Sequence, residues 1–466
     1  MPHTISDTLH FIGIGGVGMS GIASVAVAQG MRVSGSDMKE SRYTKRLAEE
    51  GVQVHIGQAA SHIPEGDPTI VVSTAILDNN PELQEAHRRG LTIVHRAQML
   101  AALGRDLTTL AVAGTHGKTT TSSMLASVLD AMGEDPTFLI GGTVRAYGTN
   151  AHSGNGAYYV VEADESDKSF RYLSPAAAIV TNIEPDHLDH YADLDEIYYQ
   201  FSEFMRSIPE GAPLVVCGDD PHLVETARQS AANVVTYGLS ADCDARVLEW
   251  ESAGVGSTFA VQLPSGAVVR SRIKQNPGVH NVLDGTAVIA LIDALGLDVD
   301  AAAQALGEFA GVKRRFDLVG SAAGVTVVDD YAHHPTEIAA TVRAAKGLDF
   351  ERVHVLFQPH RYSRASLFTD VLADEFGAAF DEADTVTFMD VFSAGEAPVP
   401  GITGKTFMNV VLDHAGHPPL EYVPRRIKVA EVMAQAAASG DLIITMGAGD
   451  VTEMGPQILA RLAERQ

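Results

Sequence analysis

Leu107-Thr108-Thr109-Leu110-Ala111-Val112-Ala113-Gly114-Thr115-His116-Gly117-Lys118-Thr119-Thr120 is the stretch that decides how this chain reads. An apolar strand, Leu107 to Val112, runs into a glycine turn that opens a helix. Such a turn points unpaired backbone N–H groups at an anion. Lys118 is spaced to reach β- and γ-phosphates and the Thr119 hydroxyl to bind Mg²⁺. A second glycine loop lies upstream, Gly13-Ile14-Gly15-Gly16-Val17-Gly18, also between a strand (His10 to Ile12) and a helix. With Asp37 at the end of the next strand it satisfies G-x-G-x-x-G plus a downstream acid. A chain with both loops handles two phosphorylated ligands, and the P-loop makes ATP one of them.

The bulk of the sequence agrees with a large α/β protein. Its 466 residues are 45% hydrophobic, enough for several cores, and length alone suggests about three domains. Acidic residues outnumber basic ones 59 to 33, a net charge of −26. That balance counts against nucleic-acid binding, which needs a basic footprint. No apolar run reaches the roughly 18 residues of a membrane span, and the Met1-Pro2-His3-Thr4 start lacks the basic region of a signal peptide. Cys217 and Cys243 have no metal spacing, which fits a reducing cytoplasm.

Strands alternating with helical stretches point to mainly parallel sheets. Residues 1–106 read as a Rossmann-like unit with strands at His10–Ile12, Arg32–Ser34, Gln53–His55, Thr69–Ser73 and Thr92–Val94. Residues 107–313 form the P-loop domain, with strands at Ala157–Glu162, Ala176–Asn182, Leu214–Cys217 and Val234–Tyr237. Within it, alternating runs across 244–274 predict a small antiparallel meander, followed by a helix from Val279 to Leu295. Residues 314–466 carry strands at Val325–Asp329, Val353–Phe357, Thr385–Met389 and Leu442–Met446 and form a third, Rossmann-like domain.

Ligands of open parallel sheets bind at the carboxyl ends of strands, so residues there carry the chemistry. Glu162, first past an apolar strand in the P-loop domain, is placed to hold Mg²⁺; the acids after it, Asp164, Glu165 and Asp167, also suit a solvated loop or helix start. The next strand ends in Asn182-Ile183-Glu184-Pro185-Asp186-His187-Leu188-Asp189-His190. Zinc is disfavoured there, because a third ligand is missing, and His187 suits a second Mg²⁺ contact. In the third domain Asp329-Asp330-Tyr331-Ala332-His333-His334-Pro335-Thr336-Glu337 combines a helix start with more Asp and His than capping requires. Gln358-Pro359-His360-Arg361-Tyr362-Ser363-Arg364 places two arginines on a strand-end loop, as clamps for phosphate or carboxylate.

These segments, with GSD (35–37), GVHNVLD (278–284), RRF (314–316) and MGAGDV (446–451), occur in the order found in the Mur ligases. The chain resembles that family of ATP-dependent amide-forming enzymes of peptidoglycan synthesis over essentially its whole length, and within it the branch that adds L-alanine. The resemblance implies three domains that bind UDP-N-acetylmuramic acid, ATP with Mg²⁺, and the amino acid in turn. It reassigns Gly13, Gly15, Gly16, Gly18 and Asp37 to the UDP-sugar, joined by Ser73, Thr74 and Arg96. ATP contacts would come from Gly114, Thr115, His116, Gly117, Lys118, Thr119 and Thr120, with His280, Asn281 and Arg314. Metal contacts would come from Thr119, Glu162 and His187. Catalysis would draw on Lys118, Glu162, His187, His333, His360, Arg361 and Arg364.

The resemblance further implies a cytoplasmic enzyme, a monomer or weak homodimer, without membrane insertion, that supports wall synthesis and so cell shape and division. Three positions depart from pattern. Val112 stands where a strict P-loop has glycine. No lysine lies between Lys168 and Lys274, whereas several sister ligases carry a carbamoylated lysine there. Asp284 occupies a position often held by asparagine, and its role stays open.

Overall fold

A computed structural model describes residues 5–166, 168–186, 191, 193–231 and 233–465. The chain divides into two compact units, Met1–Arg246 with Gln262–Ala267 and Thr286–Leu306, and Val247–Val261 with Val268–Gly285 and Gly307–Gln466. Its three sheets form the cores of three α/β domains.

In the first unit, β1 (Thr8–Ile12), β2 (Arg32–Asp37), β3 (Gln53–Ile56), β4 (Thr69–Val72) and β5 (Ile93–His95) form a sheet ordered β3-β2-β1-β4-β5. All its pairings are parallel. The strand order reverses between β1 and β4, so the glycine loop after β1 opens at the crevice where parallel sheets take ligands.

The P-loop strand β6 (Thr108–Ala113) lies inside the next sheet of the same unit. Its companions are β7 (Thr137–Val144), β8 (Thr149–His152), β9 (Tyr158–Glu162), β10 (Ala177–Val180), β11 (Pro213–Cys217) and β12 (Asn233–Gly238). They run in the order β8-β7-β9-β6-β10-β11-β12. Leu110–Ala113 and Ala177–Val180 are wholly buried. Strands covered on both faces need apolar residues at every position rather than alternation, which is why these read as unbroken hydrophobic runs. Parallel register sets Val112 beside Glu162 of β9 and Ile179 of β10. The ends of β9 and β10 thus flank the P-loop.

The second unit holds most of the meander, β13 (Ala245–Ala253), β14 (Gly256–Gln262) and β15 (Val268–Ile273), neighbours in sequence order. The two residues between β13 and β14 permit antiparallel pairing alone. Six further strands follow, β16 (Asp317–Ala322), β17 (Val325–Asp330), β18 (Val353–Phe357), β19 (Thr385–Phe388), β20 (Leu420–Tyr422) and β21 (Leu442–Met446), ordered β16-β17-β21-β18-β19-β20. All pairs are parallel except β16–β17. The carboxyl ends of β17, β21 and β18 are therefore adjacent.

Strands β7, β8, β16 and β20 escape the sequence reading. Gly141-Gly142 interrupts β7, β8 and β20 are four and three residues long, and β16 is a half-exposed strand without apolar alternation. No helix among the described residues is long and apolar enough to cross a membrane.

Candidate functional site

The P-loop is bound to its neighbour strand by side chains. Gly114 has φ +135°, and a Cβ there would sit 2.0 Å from Thr181 Oγ1, so glycine is required. The amide of Thr115 donates to the Asn182 carbonyl at 3.0 Å and that of His116 to Asn182 Oδ1 at 2.8 Å. The His116 ring lies 3.5 Å from Glu184. Gly117 begins the Lys118–Ala131 helix with φ +83° and no side-chain cap. The first-turn N–H groups thus have no competing cap and remain suited to an anion.

Thr119 and Glu162 meet at the mouth of this loop. Thr119 Oγ1 is 3.1 and 3.0 Å from the two Glu162 carboxylate oxygens, and Gly141 N donates to that carboxylate at 2.7 Å. A hydroxyl and a carboxylate side by side are hard oxygen donors, the set that suits Mg²⁺. Lys118 lies folded against its own loop. Its Nζ donates to Gly114 O, to Thr115 O at 3.0 Å and to Glu165, whose nearer oxygen is 2.8 Å away. Burial pushes the Glu165 carboxyl up to about 7 against the pull of Lys118.

The first glycine loop is braced by β2. Gly13 N and Ile14 N both donate to Ser36 O at 2.9 Å, and Gly15 N donates to Asp37 Oδ2 at 2.8 Å. A Cβ on Gly15 would come within 2.8 Å of that oxygen. Asp37 therefore acts as a brace for the loop, a role the sequence does not disclose. Gly16 starts the Val17–Ala28 helix, again without a side-chain cap. Ser73 and Thr74 follow β4, on the same sheet edge. Arg96 Nη1 lies 3.2 Å from where a Gly18 Cβ would stand, and its Nη2 is 3.3 Å from Asp164. A cleft with about 530 Å³ of empty space is lined by Gly18, Arg96, Gly141, Glu162 and Asp164, so the end of the first glycine loop and the strand-end acids Glu162 and Asp164 face common space within this unit.

Behind the first loop sits a buried carboxylate, Glu82. It accepts from Ser36 Oγ at 2.7 Å and Ala59 N at 3.0 Å and pairs with His10 at 3.1 Å and His62 at 3.0 Å. Burial pushes its carboxyl up, but the bonds from His10, Ser36 and Ala59 outweigh this and hold it below the usual carboxylate range.

In the second unit, desolvation of the half-buried His280 ring lowers it to about 4 with help from the Arg315 charge. Its Nε2 lies 2.8 Å from Asn281 Nδ2, which also donates to Pro277 O. Arg314 is engaged by its own domain. It pairs with Asp329 at 3.2 Å and donates to the carbonyls of Gly447 and Gly449 at 2.6 and 3.0 Å. Arg314 thereby holds the loop after β21. Burial pushes Asp330 up to about 6, and its carboxylate accepts from Phe316 N and Ala332 N. His333 and His360 approach with ring centroids 6.0 Å apart. Burial, then the His333 and Arg364 charges, lower His360 to about 3. A group that weakly basic holds a proton poorly at neutrality; the neighbouring His333 lies 3.3 Å from Glu337.

The arginine loop has a strap that sequence reasoning missed. Arg361 adopts φ +65°. Its amide donates to Phe392 O at 2.8 Å, and Glu396 accepts from Tyr362 N at 2.7 Å, Ser363 N at 3.1 Å and Ser363 Oγ at 2.6 Å. Glu396 also lies 4.0 Å from Arg361. Its signal, an acid in a Gly-bearing loop some thirty residues downstream, is too weak to single out. Gln358 joins the same loop to the turn after β21 through Asp450 and Val451. His187, with Asp167 and His190, lies outside the described residues.

Three family descriptions match the chain in succession. They are the Mur ligase family catalytic domain over residues 8–107, the Mur ligase middle domain over 112–292 and the Mur ligase glutamate ligase domain over 314–449. A UDP-N-acetylmuramate–L-alanine ligase of Thermobifida fusca is 45% identical over 97% of this chain and 96% of its own. One from Rubrobacter xylanophilus is 45% identical over 97% and 100%. The crystal structure of the Thermotoga maritima UDP-N-acetylmuramate-alanine ligase superposes with TM-score 0.81 at 29% identity, covering 98% of this chain and 100% of that one. A murein peptide ligase of Psychrobacter arcticus gives 0.71 at 26% identity, with 98% of each chain covered. With its phosphate loops, strand-end acids and arginine loop in this arrangement, the chain belongs to the Mur ligase family.

Proposed function

We propose that this chain is an ATP-dependent ligase that joins L-alanine to the lactyl carboxylate of UDP-N-acetylmuramic acid in peptidoglycan precursor synthesis. The observation that carries the chemistry is the meeting of Thr119 and Glu162 at the mouth of the loop that carries Lys118, in a chain 45% identical to ligases of that name.

A carboxylate is a poor acyl donor at neutral pH and must be activated. A lactyl carboxylate oxygen attacks the γ-phosphorus of ATP, the bond to the ADP oxygen breaks, and an acyl phosphate forms on the sugar. Lys118 and the uncapped N–H groups of the Lys118–Ala131 helix hold the phosphate oxygens in line. Thr119 and Glu162, with His187, would hold Mg²⁺, which when bound would offset the negative charge of the triphosphate. The first glycine loop, Ser73, Thr74 and Arg96 hold the UDP-sugar.

The amine of L-alanine then attacks the acyl carbon, the carbon–oxygen bond to phosphate breaks, and the amine loses its extra proton. Arg361 and Arg364 orient the alanine carboxylate or the leaving phosphate. His333 receives the proton. His280 and Asn281 contact the adenine. The division into residues 1–106, 107–313 and 314–466 assigns one substrate to each domain. A cytoplasmic location follows from where ATP and UDP-sugars are made.

Phosphate release with ATP, Mg²⁺ and UDP-N-acetylmuramic acid tests this, with L-alanine or L-Ala-D-Glu-diaminopimelate added in parallel. Release dependent on L-alanine, with the matching mass gain on the sugar, is expected. Release with the tripeptide alone would make the chain a recycling ligase and overturn the assignment.

A further inference from the structure

Two of the cations assigned to the nucleotides, Arg96 and Lys118, are paired, and their partners are consecutive residues. Lys118 Nζ carries three protons, and they go to Gly114 O, to Thr115 O and to Glu165 Oε1 at 2.9 Å. Both side chains of that pair are buried, Lys118 at 13% and Glu165 at 4% exposure. Arg96 meets Asp164 at 3.3 Å, in the cleft onto which the first glycine loop opens.

The turn that carries the two acids is pinned by its backbone. Ser169 Oγ and Phe170 N donate to the Asp164 carbonyl at 3.1 Å, and Lys168 N and the Tyr191 hydroxyl donate to that of Glu165. Ser166 N also fixes one Asp164 carboxylate oxygen at 3.0 Å. A backbone held this way keeps each carboxylate in reach of its own cation.

We propose that Asp164 and Glu165 are resident counter-ions that the two nucleotides must displace, Asp164 from Arg96 by the UDP-sugar and Glu165 from Lys118 by ATP. They thereby set the affinity for each substrate. An anion entering either loop gains a cation only as that cation gives up a carboxylate. Asp164 stays nearby as a like charge, which weakens the bound sugar nucleotide as well. Uniformly tight nucleotide binding lowers KM without raising kcat and slows product departure, so a competing acid has a use. The proposal rests on the assignment of Arg96 to the UDP-sugar and Lys118 to ATP.

The experiment is calorimetric titration of the full chain and its D164N and E165Q variants. One probe is UDP-N-acetylmuramic acid and the other is a non-hydrolysable ATP analogue with Mg²⁺. E165Q is expected to tighten the ATP analogue by about tenfold or more, because a buried pair is removed, and to leave the sugar nucleotide unchanged. D164N, at a half-open pair, is expected to tighten the sugar nucleotide by about fivefold at most, an effect that shrinks in high salt. A role confined to holding the fold would weaken binding or leave it unmoved, never tighten one ligand selectively. Unchanged or weaker affinity in a folded variant overturns the inference. If E165Q does not fold, D164N alone decides between tightening and its absence. Failure of the wild-type chain to bind either probe would instead sink the functional assignment beneath it.

Discussion

Replacing Glu82 by alanine tests whether the first glycine loop depends on what lies behind it. The carboxylate is fully buried, as are His10 and Ser36, which lose their partner in the variant. The Ala59 amide and the His62 ring lose theirs too, but His62 is 19% exposed and water can reach it. Two donors left without solvent at about 1–3 kcal/mol each give a loss of about 2–6 kcal/mol, which brackets the roughly 3–5 kcal/mol of breaking a buried pair. For a domain of roughly 100 residues each kcal/mol lowers the midpoint by about 4–8 °C. Calorimetry should therefore show the first transition falling by about 10 °C or more. Ser36 also accepts the amides of Gly13 and Ile14 through its carbonyl, beside the Asp37 that grips Gly15. UDP-sugar affinity should fall in step, with affinity for an ATP analogue retained. The wild-type carboxyl is held below its ordinary value. Such a group contributes stability that is full above the unfolded pKa and lost as pH falls through the folded one. The gap between wild type and E82A should thus narrow in acid. A midpoint shift under about 2 °C, or unchanged UDP-sugar binding in the destabilised variant, would refute the reasoning.

Lys118→Ala should abolish phosphate release while sugar-nucleotide binding, measured by calorimetry, stays within about twofold. Glu162→Gln, which removes the charge beside Thr119, should raise the Mg²⁺ needed for half-maximal rate by at least about tenfold, read from metal titrations of turnover. Glu396→Ala frees the backbone of Tyr362 and Ser363, so KM for L-alanine should rise by about tenfold or more with KM for ATP unmoved. His360 is neutral above about pH 3, so His360→Asn should lower the rate without shifting the acidic limb of the pH profile near neutrality.

What the sequence discloses and what it hides divide along a physical line. The P-loop and Glu162 are legible because each ends an apolar strand, and parallel pairing then brings Val112 and Glu162 together without further information. The same holds for the strand ends after β17, β18 and β21, which the third sheet makes neighbours. Local chemistry marks these positions, and sheet topology does the rest. Partnerships between elements are different. That Asp37 accepts Gly15 N, that Glu82 joins His10 to Ser36, and that Glu396 straps the arginine loop each depend on one rotamer at one distance. A carboxylate in a loop looks the same in sequence whether it is solvated or holds two backbone amides. Arg314 shows the converse. Its place in a motif suggests a ligand contact, yet its guanidinium is engaged by Asp329 and by carbonyls more than 130 residues away. Motifs therefore identify which strand ends matter, and burial with hydrogen-bond geometry decides which side chains there are free to meet a substrate. Lys118, named by every sequence rule, is the instructive case: its ammonium is engaged by Glu165 and by two carbonyls of its own loop, a partnership that no motif announces.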